Sequence, residues 1–325
     1  MAKASPIAET GISLDAPALE ALSGAALGPP RTLWGDAWRR FRKHKLAMIG
    51  SVVLIFFILT ALVGPIVYTT SPAKLNFKIK MQGPSLQHPF GVDDSGRDIL
   101  ARVLFGGRIS LSVGMVAMAI LIGVGTLVGA VAGFFGGMID NVLMRITDMF
   151  LALPQLPLLL LLTYLFRDPL NKFLEQLGLG PQTGIFILIV GVIGILNWMG
   201  TARIVRASFL SLKQKEFVEA ATCLGVSRGS IMFRHILPNV LSPIIVSATL
   251  AVGEAIILES VLSFLGLGFP PNTPTWGRLL FDGQEFLPLA PHIVIWPGLM
   301  IFLTVLSINY MGDGLRDALD PRSRL

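Results

Sequence analysis

Charged residues are scarce in this chain of 325 residues. They make up 14% of the sequence, against about 25% in a soluble domain. Hydrophobic residues make up 53%, and the mean hydropathy is +0.71. The surface of one globule cannot cover that much apolar sequence, so the composition excludes an ordinary soluble domain and indicates an integral membrane protein.

Cysteine and histidine are also rare, and one nucleotide-binding pattern is missing. The single Cys223 excludes an internal disulfide and a cysteine metal cluster. The four histidines, His44, His88, His235 and His292, are scattered, which does not favour a membrane metalloenzyme. Because the sequence contains no G-x-x-x-x-G-K-[ST] loop, we do not expect this chain to bind or hydrolyse ATP.

Long apolar segments are what the sequence does contain. A helix needs about 20 mainly apolar residues to cross the hydrocarbon core. We therefore predict an all-α, polytopic membrane protein with about six transmembrane helices. Charges interrupt only the third segment, with Arg145 and Asp148, and the fifth, with Glu254 and Glu259. The six segments are 46–68, 109–133, 141–166, 183–202, 239–265 and 290–311.

The basic residues predict an orientation. Six spans place both termini on one side, which carries 16 Lys and Arg residues, whereas the opposite loops carry 9. The positive-inside rule puts the richer side in the cytoplasm. The same loops account for the net charge of +6, so nucleic acid is not an expected partner.

The chain is predicted to divide into five parts. In the external loop, Ser95 and Asp98 form a possible capping box for a short helix lying on the membrane surface. Small residues every four positions, Gly125, Gly129, Gly133 and Gly137, favour close helix packing. The parts are a flexible N-terminal tail (1–33), a lead and first span (34–68), the external loop with its surface helix (69–108), a core of five transmembrane helices (109–311) containing a polar loop (203–238), and a cytoplasmic C-terminal tail (312–325).

The polar loop contains the stretch "EFVEAATCLGVSRGSIMFRHILPNV", residues 216–240. Ser211 and Gln214 offer a capping-box start, and Gly225 stands where a helix C-cap needs a left-handed residue. Ser227 can cap a second helix. The pattern predicts a helix–glycine–helix elbow that either rests on the bilayer or docks a cytoplasmic partner, and physics alone leaves both open. The first helix carries an apolar stripe of Phe217, Ala220, Ala221 and Leu224.

The elbow resembles the EAA loop of ABC importer permeases. That pattern is Glu-Ala-Ala, three residues, Gly, nine residues, Ile, any residue, Leu, Pro. His235 stands at the Ile position, and the form "RHILPN" is similar to the peptide-importer branch. The matching residues, which the resemblance makes the ATPase-coupling residues, are Glu219, Ala220, Ala221, Gly225, Leu237 and Pro238.

The resemblance extends over nearly everything after residue 34. The chain is similar to the C-type permease subunit of dipeptide and oligopeptide ABC importers. This likeness implies a type I ABC importer permease fold whose elbow is a cytoplasmic coupling helix. The similar stretches include "WRRFRKHKLAMIG", "HPFGVDDSGRDILARVLFGGRISLSVG", "GGMIDNVLMRITDMFLALPQLPLL", "LSFLGLGFPPNTPTWGRLL" and "PGLMIFLTVLSINYMGDGLRDALDPR".

The resemblance also implies partners and a mechanism. The chain would supply half of a translocation path in a bacterial-type inner membrane, and a second homologous permease subunit would supply the rest. Two ATP-binding subunits or domains would hold ATP and Mg, and an external binding protein would deliver the solute for alternating access. The expected solutes are dipeptides or oligopeptides, with nickel chelates and glutathione as open alternatives.

Three polar residues within the spans are candidates for the translocation path. Asp148 could instead pair with Arg145 one helical turn away, and Asn197 could bond a neighbouring helix. Glu259 could line the path, contact the partner permease or fill a polar cavity, and about 140° separates it from Glu254. A secondary transporter is the rival function, but it would need ionisable relays and inverted repeats.

Overall fold

The computed structural model describes residues 33–319. Within this range the secondary structure is helical apart from turns, loops and one isolated bridge between Val92 and Asp98. Residues 1–32 of the predicted tail and residues 320–325 lie outside the described range. The helices are α1 (Leu33–Lys43), α2 (Lys45–Val67), α3 (Ile99–Phe135), α4 (Gly137–Ala152), α5 (Gln155–Gln176), α6 (Pro181–Ile195), α7 (Met199–Leu212), α8 (Glu216–Cys223), α9 (Leu237–Phe264), α10 (Trp276–Gly283) and α11 (His292–Leu319).

Six helical units correspond to the six predicted spans. Four are continuous helices that are long and apolar enough to cross a membrane: α2, α3, α11, and the helical run Arg228–Phe264 that includes α9. The other two are bent pairs, α4 with α5 at 88° and α6 with α7 at 43°. The all-α polytopic fold is confirmed, with four candidate spans, or six if each bent pair is one span.

Local chemistry explains both breaks. Proline disfavours the α conformation in the residue before it, and Leu153, which precedes Pro154, is extended at φ −79° and ψ 138°. At the second break the Asn197 side chain donates a hydrogen bond to the Ile193 carbonyl oxygen, 2.6 Å away. A side chain bound to the backbone in this way competes with the helical ladder. The sequence contained the first signal in "ALPQ", which the span prediction overlooked.

The second span begins earlier than predicted. Asp98 caps α3 by accepting a hydrogen bond from the Ala101 amide at 2.7 Å, so Ser95 is not the cap. The expected separate surface helix is therefore wrong, because its residues form the first turns of a 37-residue helix. The last span likewise continues through Leu319, so residues 312–319 of the predicted tail are helical.

A buried charge network fastens the long loop before α3. Arg102 is 1% exposed and donates from Nη1 to Asp93 at 2.7 Å and from Nη2 to Asp282 at 2.9 Å. Asp98 also accepts a hydrogen bond from the Tyr68 hydroxyl at 2.8 Å. Burial, and then this hydrogen bond, raise the pKa of Tyr68. Since a buried cation needs partners, the network ties the loop to α3 and α10.

Helix α3 packs directly on α7 through the predicted glycines. A methyl group at Gly125 would lie 2.7 Å from the Trp198 carbonyl oxygen, and one at Gly133 would lie 2.6 Å from Phe209 Cβ. Gly129 lies equally close to the Ala202 backbone. Small residues at this spacing let helix backbones approach closely in lipid. Gly137 does not continue the contact, because it follows the end of α3 with φ +56° and open space around it.

The α3–α7 contact predicts the effect of a larger side chain. Gly129→Leu should lower the thermal unfolding midpoint of the purified protein, because overpacking costs about 1–3 kcal/mol. Gly123→Leu is the matched control, since a Cβ at Gly123 on the same helix meets nothing within 4 Å. Thermal scans of both variants in mild detergent test this prediction, and equal midpoints would contradict it.

Candidate functional site

The predicted elbow forms a compact turn between α7 and α9. Its first helix, α8, carries Glu216 and Glu219 in its first turn, where acidic side chains favour the helix dipole. Lys215 is its N-cap and makes no side-chain cap bond, so the proposed capping box of Ser211 and Gln214 is wrong. Ser211 instead lies within α7, because the helix before the elbow continues through Leu212.

The glycine turn is as predicted. Gly225 has φ +74°, and its amide donates to Thr222 at 3.0 Å while the Val226 amide donates to Ala221 at 3.1 Å. These two bonds form the Schellman closure of a helix end. Ser227 then caps the next turn by accepting a hydrogen bond from the Ser230 amide at 3.4 Å. The chain therefore reverses at one left-handed residue and immediately starts a second helix.

The second helix of the elbow widens before it becomes α9. Residues Ile231–Ile236 form a π-helix, in which the Leu237 amide donates to the Met232 carbonyl oxygen. Pro238 has no amide hydrogen for the Arg234 carbonyl, so an ordinary α-ladder would lose a bond at this point. The residues at the end of the EAA pattern, Leu237 and Pro238, thus lie where the wide turn passes into α9.

The elbow has one buried face and one open face. Val218 and Ala221 are buried and belong to the same apolar cluster as Phe209 of α7 and Ile236 of the π-helix. The predicted stripe is therefore split, because Ala221 faces inward, whereas its other members are exposed. Val218, which the stripe omitted, is the larger buried anchor. We call the exposed set, Phe217, Ala220 and Leu224, the elbow surface.

Two ion pairs join α4 to α7. Arg206 donates to Asp140, with 2.6 Å between Nη2 and Oδ2, and Arg203 donates to Asp148. The expected pairing of Asp148 with Arg145 is therefore wrong. Both partners come from α7, 55 and 66 residues further along the chain, and no local spacing rule reveals contacts at that separation.

The two helix breaks face each other across a small cavity of about 270 Å³. Asn197 at the second break accepts a hydrogen bond from the Gln155 side chain, which follows the first break. Both alternatives left open for Asn197 are therefore observed, because it bonds a neighbouring helix and also lines this cavity. The cavity is lined by Phe150, Leu151, Leu153, Gln155, Leu158, Leu196, Asn197, Met199, Gly200 and Glu254.

Glu259 lies inside the chain rather than on its surface. Its side chain is fully buried and accepts hydrogen bonds from Ser263 at 2.7 Å and from Ser110 of α3 at 3.2 Å. The Ser110 hydroxyl in turn accepts a hydrogen bond from the Trp276 amide of α10 at 3.2 Å. The sequence allows three roles for Glu259, in the path, at the partner permease or in a polar cavity; in the structure its hydrogen bonds join α3, α9 and α10.

The side chain of Glu254, which is also on α9, points away from the buried Glu259. It is exposed, it lines the cavity at the helix breaks, and no described residue donates a hydrogen bond to it. The prediction that the two acids do not face the same surface is thus confirmed. Glu259, by contrast, accepts a hydrogen bond from Ser110, 149 residues away.

Comparisons with known proteins agree with this geometry. The sequence pattern of the family described as "Binding-protein-dependent transport system inner membrane component" matches residues 125–325. That of the "N-terminal TM domain of oligopeptide transport permease C" matches residues 32–89. Together the two matches cover most of the described helices, including both helix breaks and the elbow.

Curated relatives resemble this chain over nearly its whole length. A dipeptide transport system permease protein of Alkalihalophilus pseudofirmus is 40% identical over 90% of each chain. An oligopeptide transport system permease protein of Haemophilus influenzae is 40% identical, also over 90% of each. A glutathione transport system permease protein of Escherichia coli O157:H7 is 41% identical over 90% of this chain and 91% of its own. This multi-pass protein of the inner membrane belongs to the family of binding-protein-dependent transport system inner membrane components, as a permease subunit of the dipeptide and oligopeptide branch.

Proposed function

We propose that this chain forms half of the translocation path of an ATP-driven importer of dipeptides and oligopeptides. An external binding protein delivers the solute, and the path alternates between outward-open and inward-open states. The observation that carries the proposal is the elbow surface. It presents Phe217 and Leu224 to solvent on a polar segment between two membrane helices, and such exposed apolar patches mark interaction sites.

The partner at the elbow surface is an ATP-binding subunit. Glu219 and Ala220 are exposed beside Phe217, and the small Ala220 side chain leaves room for close approach by another surface. Gly225 sets the turn that presents these residues. ATP and Mg reside in two such subunits or domains rather than in this chain, and a second homologous permease completes the path.

Movement of the elbow has a direct route into the membrane body. Val218 and Ala221 pack with Phe209, which lies on α7. Helix α7 is fixed to α3 by the glycine contacts and to α4 by two ion pairs. Because packed helices of this kind move as units, displacement of α8 by a closing ATP-binding subunit would shift α7 and its neighbours together.

The similarity to relatives supports a peptide solute. Relatives of equal similarity are named for dipeptide, oligopeptide and glutathione transport, and glutathione is itself a small peptide. A nickel chelate remains the alternative within the same mechanism. The excess of basic residues supports a cytoplasmic location for both termini, for the elbow and for the basic end of α1.

Gentle purification of the tagged chain from its native membrane tests this function. We expect a second six-span permease and ATP-binding subunits to copurify. We also expect the reconstituted complex, supplied with its binding protein, to accumulate a labelled dipeptide only with ATP. A chain that is isolated alone from several mild detergents and transports its solute on an ion gradient would instead be a secondary transporter.

Substitution of Gly225 should uncouple transport. Gly225→Val forces a β-branched residue into φ +74°, at a cost of about 1–2 kcal/mol for the left-handed conformation. We expect normal membrane insertion but ATP-driven uptake reduced about tenfold. Gly225→Asn should have a milder effect, because asparagine tolerates this conformation.

Gly229→Val is the matched control for Gly225. A Cβ at either glycine meets nothing within 4 Å, and only Gly225 of the two has a positive φ. Both valine substitutions therefore add the same side chain without a clash. Uptake and ATP hydrolysis measured side by side separate the conformational effect from added bulk, and equal activity of the two valine variants would contradict the elbow mechanism.

Substitution of Glu259 should affect stability rather than solute passage. Glu259→Leu removes the acceptor for Ser110 and Ser263 and leaves buried hydroxyls unsatisfied. The cost is about 2 kcal/mol, or a midpoint lower by about 5 °C. Glu259→Gln preserves the shape and an acceptor oxygen, so uptake should persist. Loss of uptake in a stable, assembled Glu259→Gln complex would restore a role for its charge in transport.

A further inference from the structure

Glu254 is an unpaired acid in the middle third of a membrane helix. It lies in the apolar run "ATLAVGEAIIL" of α9, is exposed, and has no hydrogen-bond or ion-pair partner among the described residues. Asp140, Asp148 and Glu259 all have such partners. A carboxylate in a membrane span faces a bundle interior or a water-filled cavity rather than lipid.

The cavity beside Glu254 has the features of a binding site. The two helix breaks bring the amide side chains of Gln155 and Asn197 to its wall. Broken helices expose backbone and polar groups at membrane depth only where these groups line a cavity or are buried in protein. Among the described lining residues Glu254 is the only one with a charge, and most of the others are apolar.

The lining chemistry selects a class of ligand. An unpaired carboxylate favours a cation, and the two amides supply further hydrogen-bonding groups. The neighbouring side chains of Phe150, Leu158 and Met199 would accommodate an uncharged side chain. The amino-terminal residue of a peptide combines these two features, because its primary ammonium group lies next to its side chain.

We propose that Glu254, with Gln155 and Asn197, contacts the amino terminus of the peptide as it passes through the membrane. This inference rests on the proposed function, because it names residues of the path. The hydrogen bond between Gln155 and Asn197 joins the two helix breaks, so that both amide groups lie together on one wall of the cavity. Glu254 supplies the charge from α9, which also connects to the elbow through the π-helix.

Water accessibility is the first test, and it does not depend on transport. In the assembled complex, Glu254→Cys should react with a membrane-impermeant cationic thiosulfonate at least about ten times faster than the controls, since only a hydrated thiol forms the reactive thiolate. Ala255→Cys is the buried control at 1% exposure, and Leu59→Cys is the exposed apolar control on α2. Peptide-level mass spectrometry separates the label from that on Cys223. Labelling no faster than at the two controls would overturn the proposal.

Transport by conservative variants is the second test. With Glu254→Gln we expect dipeptide uptake to fall about tenfold, the loss typical of one charge-assisted hydrogen bond. Binding-protein-stimulated ATP hydrolysis should stay within about twofold, because delivery and coupling are intact. Glu254→Asp should restore part of the uptake, and Glu175→Gln, a change of another exposed acid, should have no effect.

The remaining outcomes overturn the proposal in different ways. Unchanged uptake with Glu254→Gln would show that the charge is not used. A parallel loss of subunits, uptake and ATP hydrolysis would place Glu254 at the contact with the second permease. If the unmodified complex imports no peptide at all, the proposed function fails, whereas the labelling result still decides whether Glu254 faces water.

Discussion

The close contact of α3 with α7 is the constraint on which the rest of the structure depends. Three glycines on α3 leave no room for side chains against the α7 backbone. Lipid gives apolar helices little reason to associate, so shape and short contact distances must hold them together. With α7 fixed in this way, both ends of the helix have defined positions. Met199 at its start lines the cavity, and Phe209 near its end packs against the elbow.

Helix α7 therefore connects the two candidate sites, the elbow surface and the cavity at the helix breaks. Its 14 residues span about 21 Å at 1.5 Å per residue. Arg203 and Arg206 of α7 form ion pairs with α4, and the C-terminal end of α4 is the first helix break. In the proposed mechanism, a displacement at the elbow would reach the cavity through these packed helices and change the spacing of the polar groups at the breaks.

Much of this architecture could be predicted from the sequence. Apolar length located the spans, and local chemistry located Gly225 and Ser227, because both features depend on neighbours within a few residues. The break before Pro154 was also local and was overlooked, since hydropathy averages over the proline. Partner choice was different: Asp148 pairs with Arg203, 55 residues away, and Glu259 accepts a hydrogen bond from Ser110, 149 residues away. Such contacts depend on how helices pack, which no periodicity in one segment encodes.

The π-helix before α9 sets the angular relation between the elbow and Glu254. A π-turn in an otherwise α-helical run is equivalent to one added residue, and one residue corresponds to about 100° of rotation about a helix axis. Removing a single residue from Ile231–Ile236 would therefore rotate Glu254 relative to α8 by about 100°. The number of residues between Gly225 and Glu254 therefore determines the orientation of the elbow relative to Glu254. Substitutions leave this number unchanged, whereas insertions and deletions alter it.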